Sequence, residues 1–493
     1  MPLYGGVQLV GKPDPTNVML LDSIAMPAIN EMTRVGMAID KDWFHILSSK
    51  LELEMTELRR EVLNYIPPEK MEEFLVRSGL DEEEKPEGEL EDWSPVNLDS
   101  NDQLAELLYD VLDIGRGKQL KLTKGGNRIS TGKKQLEQLK REHKVVRPLL
   151  EYKGHAKLKS TYTDTLPRQA VHHPRGYCPV CELTHDAETD RIHAQFPSTR
   201  TSTGRFASRH PNLQNIPSRS EIGRLIRMGF TASPGKVLVG CDFSQIEMRD
   251  GAHYSLDPNL LRIFREKLDP HTDTAMRAFN KSKEEVTTEE GKLLYRDPCK
   301  NVNFGVFYGL NAPGLLDLMG LTYATANLDL PSHINLDWCG GFITSWFDLY
   351  KQVLVYLDTQ HYRCRRYGMA WDYFGRVRLI PEVYSPHERI QAAGLRQGGN
   401  IPIQSTAAGQ NKIGIAMVYN ELVLRLRSEG IYIWPMVTVH DELLVEVDEE
   451  YGELVKIHME QLFSEVMRDV DTGEWMWAVS IEAKGKVMDR WAK

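Results

Sequence analysis

The 493-residue sequence predicts a largely helical α+β protein. Three observations carry this. The chain exceeds the roughly 250–300 residues at which a single core stops growing, so more than one lobe is expected. Apolar residues recur at helical spacing along most of its length. Three β-branched runs, at 237–243, 431–439 and 442–448, break that spacing, and the last two adjoin as paired antiparallel strands. With 41% hydrophobic and 26% charged residues the composition is that of a folded soluble domain, not a disordered chain. No window approaches the ~18 uninterrupted apolar residues that cross a bilayer, so no membrane partner is expected.

Taken in order, residues 20–66 carry helical spacing, as in FHILSSKLELEMTELRREVL. The acidic block DEEEKPEGELED (81–92), with eight acids and one Lys, interrupts it and reads as an exposed loop. NDQLAELLYDVLDI is helical again, and GKKQLEQLKREHKVVRPLLEYKGHAKLKSTY predicts long helices exposing Lys and Arg. Residues 167–219 are rich in turn formers and predict short strands and loops. VLVGCDF (237–243) reads as a buried strand, followed by helices to about 370, apart from a loop near 321–335. GRVRLIP, a helix over AGQNKIGIAMVYNELVLRLRS and the two paired strands close the chain.

The net charge of −10 alone argues against an acidic partner, but charge is unevenly placed. Between Arg116 and Lys159 fourteen Lys or Arg face three Glu, a density suited to a phosphate backbone and equally to a solvated helical surface. Six cysteines in so long a chain form no disulfide framework, and the N-terminus carries no basic start followed by an apolar block. The expectation is a monomer in a reducing compartment: the cytoplasm, bacterial or that of a virus-infected cell.

Two strand ends carry acids where a core strand would not. Asp242 closes 237–243, and an acid on a buried strand costs free energy unless paired or bound to a cation. Ser244 and Glu247 fit an S-x-x-E capping box, which accounts for Glu247 but not for Asp242. His440, Asp441 and Glu442 likewise separate two apolar strands. A polar turn is the simple reading, although two-residue hairpins prefer Asn-Gly or Asp-Gly. The sharper one pairs the two sites: strand-end carboxylates from distant segments make an oxygen cage for Mg²⁺, and two such ions clamp a phosphoryl displacement.

Arg296, Lys300, Phe304 and Tyr308 recur every four residues, so on a helix they fan across about 120° of one face. Snorkelling cations over a core explain part of that stripe; a triphosphate at one end and a stacked base at the other explain all of it. Arg205, Asn212, Gln214 and Arg219 lie in a stretch too polar for a core strand. Arg396, Asn400 and Gln404 also stand four apart, with Pro402 arguing against an unbroken helix there.

Together these motifs resemble the polymerase domain of family A DNA polymerases, from about residue 20 to the end. DFSQIEMR is similar to the first palm motif, RDPCKNVNFGVFYG to the fingers-helix motif and VHDELLVEV to the second palm motif. The resemblance implies a right-hand fold. Its parts would be an N-terminal segment packing on the palm (1–45), a thumb (46–195), a palm (196–258 and 386–493, with an antiparallel sheet) and fingers (259–385).

It also implies DNA-directed synthesis from dNTPs on primer-template DNA, alongside other replication proteins. Asp242, Asp441, Glu442 and the Phe243 carbonyl would hold two Mg²⁺ ions, with Asp242, Asp441 and Lys300 catalytic. Arg296, Lys300, Phe304, Tyr308, His271, Glu247, Gln245 and Arg219 would bind nucleotide, Glu247 by blocking a ribose 2′-hydroxyl. Arg205, Asn212, Gln214, Arg396, Asn400, Gln404, His440, and Lys157 and Lys159 at the base of the thumb would contact DNA.

The sequence also departs from the family pattern. Asp297, Pro298 and Cys299 stand where the family usually has small residues, and Phe304 in place of Tyr implies poor use of dideoxynucleotides. The twenty or so residues upstream of the match are too few for a 3′-5′ exonuclease domain, so no proofreading is expected on this chain. HHPRGYCPVCELTH (172–185) reads as an insertion; His173, Cys178, Cys181 and His185 suit a structural zinc, while a lone CxxC also suits a reduced-thiol loop. A metal-dependent nuclease also uses paired carboxylates but has no need of the 296–308 stripe. A DNA-binding replication factor would need the basic block but not the acids.

Overall fold

A computed structural model describes residues 3–78, 97–117, 120–123, 128–140, 142–198, 200–218, 220–325 and 330–492. The acidic block 81–92 and Arg219 lie outside the described residues. Contacts group the chain into two units: Met1–Ala38, His173–Asn215 and Thr231–Trp491 form one, and Ile39–His172, Ile216–Phe230 and Ala492–Lys493 the other.

In the first unit, helix α1 (Met26–Val35) precedes a small hairpin of β1 (Gly176–Cys178) and β2 (Leu183–His185), then β3 (Thr189–Ile192). The apolar run predicted at 237–243 is β4 (Lys236–Phe243). Helices α2 (Ile246–Ser255), α3 (Pro270–Phe279), α4 (Asp297–Gly305) and α5 (Glu388–Met417) follow. Strands β5 (Ile433–Val439) and β6 (Glu442–Asp448), helix α6 (Gly452–Ser464) and β7 (Ala483–Met488) complete the unit.

The central sheet has the order β7-β4-β6-β5, antiparallel throughout. Its register sets Glu442 opposite Asp242, Leu444 opposite Gly240 and Glu446 opposite Leu238. One face packs on α6, where Phe243 meets Phe463 with ring centroids 4.7 Å apart. Val237, Leu238, Val239 and Cys241 are each under 5% exposed. Burying such side chains contributes about 1.5–3 kcal/mol apiece, so the core holds β4 and leaves its acidic end available for chemistry.

Helix α5 corrects the expectation of a break at Pro402, which lies inside thirty continuous helical residues. Proline removes one N–H and crowds the carbonyl four residues earlier. The carbonyl deprived of a donor and crowded by the ring is that of Gly398, and the next carbonyl, Gly399, takes the Tyr356 hydroxyl at 2.9 Å, which ties this turn of the helix to its neighbour. At Gly398 a Cβ would stand 2.2 Å from the Cys364 sulfur, so close packing as well as backbone freedom selects glycine there.

In the second unit, Lys41–Asn64 is a helix whose first turn is capped by the Asp40 carboxylate, accepting from the Trp43 N–H at 2.9 Å. It packs with Val146–Leu158 around Met55, Val62, Leu107, Leu108, Leu136, Leu149 and Tyr152. The long helices expected across the basic block are two shorter ones, Lys133–Leu139 and Val146–Leu158. Lys157 is exposed, while Lys159 bridges Asp164 at 3.0 Å and Glu52 at 3.1 Å.

Candidate active site

The β5–β6 hairpin turns through two residues, His440 and Asp441, with His440 at φ +57°. An exposed histidine in the left-handed region is an unusual choice for such a turn. Its carbonyl is fixed by the Asn411 amide at 3.1 Å. The Phe243 N–H points at the Asp441 carbonyl at 3.4 Å, so the turn closes against the end of β4. Asp242, Asp441 and Glu442 therefore meet at one corner of the sheet, although 199 residues separate the first two. Gly240 makes room there, since a Cβ on it would lie 3.3 Å from Glu442 Oε1. The Phe243 ring is committed to the core, so only its main-chain carbonyl can serve as a ligand. The donor set is entirely hard oxygen, which fits Mg²⁺ and not a thiophilic metal.

Glu247 does not close the capping box expected of it. Helix α2 begins at Ile246 after Gln245 at φ +57°, with no side-chain cap. The Glu247 carboxylate instead accepts from Arg205 and from the Tyr308 hydroxyl. An ion pair plus a hydroxyl donor outweighs one cap, which contributes only about 1 kcal/mol. Burial, then the Glu247 charge, pushes the Tyr308 phenol up, so it stays a donor.

The 296–308 stripe is also less regular than a single helix. Lys292–Arg296 forms a π-helical turn, α4 follows, and Val306–Tyr308 is a 3-10 turn ending at Gly309. Pro298 has no N–H to return to residue 294, and the wider turn ahead of it accommodates the missing bond. Arg296 donates to Asp269 at 3.1 Å, and Asp269 also caps α3. Lys300 is exposed. The His271 ring lies 5.3 Å from that of Phe304 and bonds Asn303 at 3.1 Å. Burial, with Arg296 and Lys300 nearby, lowers the His271 pKa to about 4, so its imidazole is neutral.

Gly309 ends the stripe at φ +71°, and a Cβ there would stand 2.2 Å from Arg396 Cγ. Gly309→Ala is therefore expected to cost about 1–2 kcal/mol in urea denaturation from backbone strain alone. An unchanged midpoint would show that the turn relaxes freely.

The amide cluster is brought to the same unit. Gln214 donates to the Thr438 carbonyl at 3.0 Å, and its own N–H bonds the Asn212 side chain. Gln404 hydrogen-bonds Tyr308, Asn400 is half-buried, and Arg396 is exposed. Asn411, Asp269 and Asn303 are additional residues that the sequence reading missed. Asn411 lies seven residues beyond Gln404, two turns further along the same helix face, which was the signal available for it. Lys157 and Lys159 belong to the second unit.

The family model for DNA polymerase family A matches residues 70–493. The chain belongs to DNA polymerase family A. Among its relatives within family A is the thermostable DNA polymerase I of Thermus filiformis, 37% identical over 90% of this chain and 46% of that protein. DNA polymerase I of Borreliella burgdorferi is 30% identical over 92% of this chain and 44% of that protein. The chain thus spans less than half the length of the curated relatives it matches. Its fold matches the polymerase domain of Pol1 from M. smegmatis, solved with DNA primer-template and dNTP, at a TM-score of 0.73 and 26% identity. That match covers 97% of this chain and 72% of the solved one. A right-hand polymerase fold for this family A chain follows, and among its described residues no helix is long and apolar enough to cross a membrane.

Proposed function

We propose that the chain catalyses template-directed DNA synthesis, adding deoxynucleotides to a primer 3′-hydroxyl with release of pyrophosphate. The observation that carries this reading is the corner of Asp242 and Asp441 in the same unit as the Arg296–Tyr308 stripe. In this reading 196–258 and 386–493 act as palm, 259–385 as fingers and 46–195 as thumb, with primer-template DNA and dNTPs as partners.

Asp242 and Asp441, with Glu442 and the Phe243 carbonyl, would hold two Mg²⁺ ions. When bound, such a pair stabilises the attacking and leaving oxygens of an in-line displacement. Arg296 and Lys300 neutralise the triphosphate, and Lys300 supplies a proton to the departing pyrophosphate. Neutral His271 donates a hydrogen bond without adding charge. Phe304 sits beside the sugar and Tyr308 beside the template base. Asp269, by pairing with Arg296, aims the guanidinium until phosphate displaces it. Gln245 and Arg219 complete the nucleotide contacts. Arg205, Asn212, Gln214, Arg396, Asn400, Gln404, His440, Lys157 and Lys159 hold the nucleic acid, mainly through its backbone.

Extension of a primed DNA template, with dNTPs and rNTPs compared, tests the reading. Extension with dNTPs is expected; strand degradation alone indicates a nuclease, and binding without chemistry a replication factor. Glu247, clamped by Arg205 and Tyr308, cannot swing away from a 2′-hydroxyl. Glu247→Ala is accordingly expected to lower the dNTP-over-rNTP preference by roughly a hundredfold. An unchanged preference removes Glu247 from sugar selection.

A further inference from the structure

We infer that the 172–185 insertion is a closed structural zinc site, ligated by His173 Nδ1, Cys178 Sγ, Cys181 Sγ and His185 Nε2 and oriented by His193. The four residues are buried, both cysteines are free thiols, and their donor atoms all lie within 4.8 Å of one another. Tetrahedral zinc with Zn–S of ~2.3 Å and Zn–N of ~2.05 Å spaces its donors by about 3.3 Å for N to N and about 3.6 Å for S to N. The observed spacings are 3.3 Å between the two nitrogens, 3.4 Å from His173 to each sulfur, and 3.0 Å from Cys181 to His185.

Hydrogen bonding among the four accounts for this packing poorly. His193 Nδ1 lies 3.0 Å from the Thr33 carbonyl, which can only accept, so the His193 proton is on Nδ1. His193 Nε2 then accepts from His173 Nε2 at 2.9 Å, which leaves a lone pair on His173 Nδ1. That single lone pair faces two sulfurs and a second imidazole nitrogen at once. One cation satisfies all four donors, and the relay from Thr33 through His193 is the outer hydrogen bond that metal-bound histidines characteristically make. Two thiolate sulfurs and two imidazole nitrogens are a ligand set that selects zinc, and four protein ligands leave no open position for substrate.

The site serves as a staple. The metal would close residues 173–185 on themselves, and the hydrogen bonds from Arg34 to the Cys181 carbonyl and from His193 to the Thr33 carbonyl tie that closed segment to α1. The hairpin leads into β3, whose Arg191 pairs with Glu446 on the central sheet.

The test is metal analysis of the full chain purified without chelators. One zinc per chain is expected, and loss of the zinc to a strong chelator is expected to lower Tm by several degrees. Iron, or no metal, overturns the proposal, as does full zinc content in Cys178→Ser/Cys181→Ser. Should that variant fail to fold, the wild-type chain expressed with cobalt decides: intense visible bands of tetrahedral thiolate-bound Co²⁺ are expected, and their absence overturns the site. His193→Ala, which removes no ligand, is expected to weaken zinc about 10- to 100-fold in competition with a chromophoric chelator. Unchanged affinity overturns the role of His193.

Discussion

If the chain extends primers as proposed, Asp441→Asn is expected to lower kcat for extension roughly a thousandfold while leaving affinity for primer-template DNA nearly the same. Asparagine keeps the shape of the side chain but removes the charge that would hold a cation. Losing one ion of a pair forfeits several kcal/mol of transition-state stabilisation, and each 1.36 kcal/mol is a factor of ten. Folding is little affected, because Asp441 is partly exposed in a turn and asparagine is a good turn residue. Asp242→Asn should behave alike. The double variant should be scarcely worse than either single one if, as proposed, the two acids act as a unit. Single-turnover extension beside a DNA-binding titration makes the measurement. Near-full activity in Asp441→Asn refutes the assignment, and weakened binding of equal size would move Asp441 from chemistry to DNA contact.

Arg191→Met is expected to destabilise the first unit by about 3–5 kcal/mol, the cost of stranding a buried charge. Both Arg191 and Glu446 have fully buried side chains, joined at 2.8 Å. Burial alone would push the Glu446 carboxyl up. The Arg191 charge and hydrogen bond, aided by Tyr432 and the Ser233 N–H, outweigh it and hold the pKa below the usual glutamate range. Stability from a depressed carboxylate is fully present above the unfolded value of about 4.3 and is lost as pH falls through the lower folded value. Urea midpoints should therefore decline on the acid side in the wild type and show less of that dependence in Arg191→Met. Adding Glu446→Leu to Arg191→Met should recover much of the loss, because no lone charge remains buried. Losses that simply add would mean that the pair is not coupled.

Much of the fold is legible residue by residue. Apolar, β-branched runs located β4, β5 and β6, and the acids at Asp242 and in the His440–Glu442 interruption marked where a core explanation stops. The four-residue spacing of Arg296, Lys300, Phe304 and Tyr308 put those side chains on one segment. Where local rules failed, a partner distant in sequence had outbid a local one. Glu247 had a capping serine three residues away yet bonds Arg205 and Tyr308, 42 and 61 residues off. Pro402 should end a helix by its own chemistry, yet the helix runs on through it, with the packed glycine pair Gly398 and Gly399 one turn earlier and Tyr356 bonded to that turn. Arg191 and Glu446 carried no signal at all, since neither lies in a motif and their 255-residue separation has no period.

The sequence by itself thus located β4, β5 and β6 and much of the helix, and determined which acids and cations are out of place in a core and that His173, Cys178, Cys181 and His185 form one candidate set. Those are properties of short windows, where propensity and period act. Folding in three dimensions decided that Asp242 faces Glu442 across a ladder with Asp441 at its turn, that Glu247 is clamped, and that His193 stands behind His173. Each of these depends on strand register and on contacts between segments far apart in the chain, which side-chain packing selects globally and no local pattern encodes.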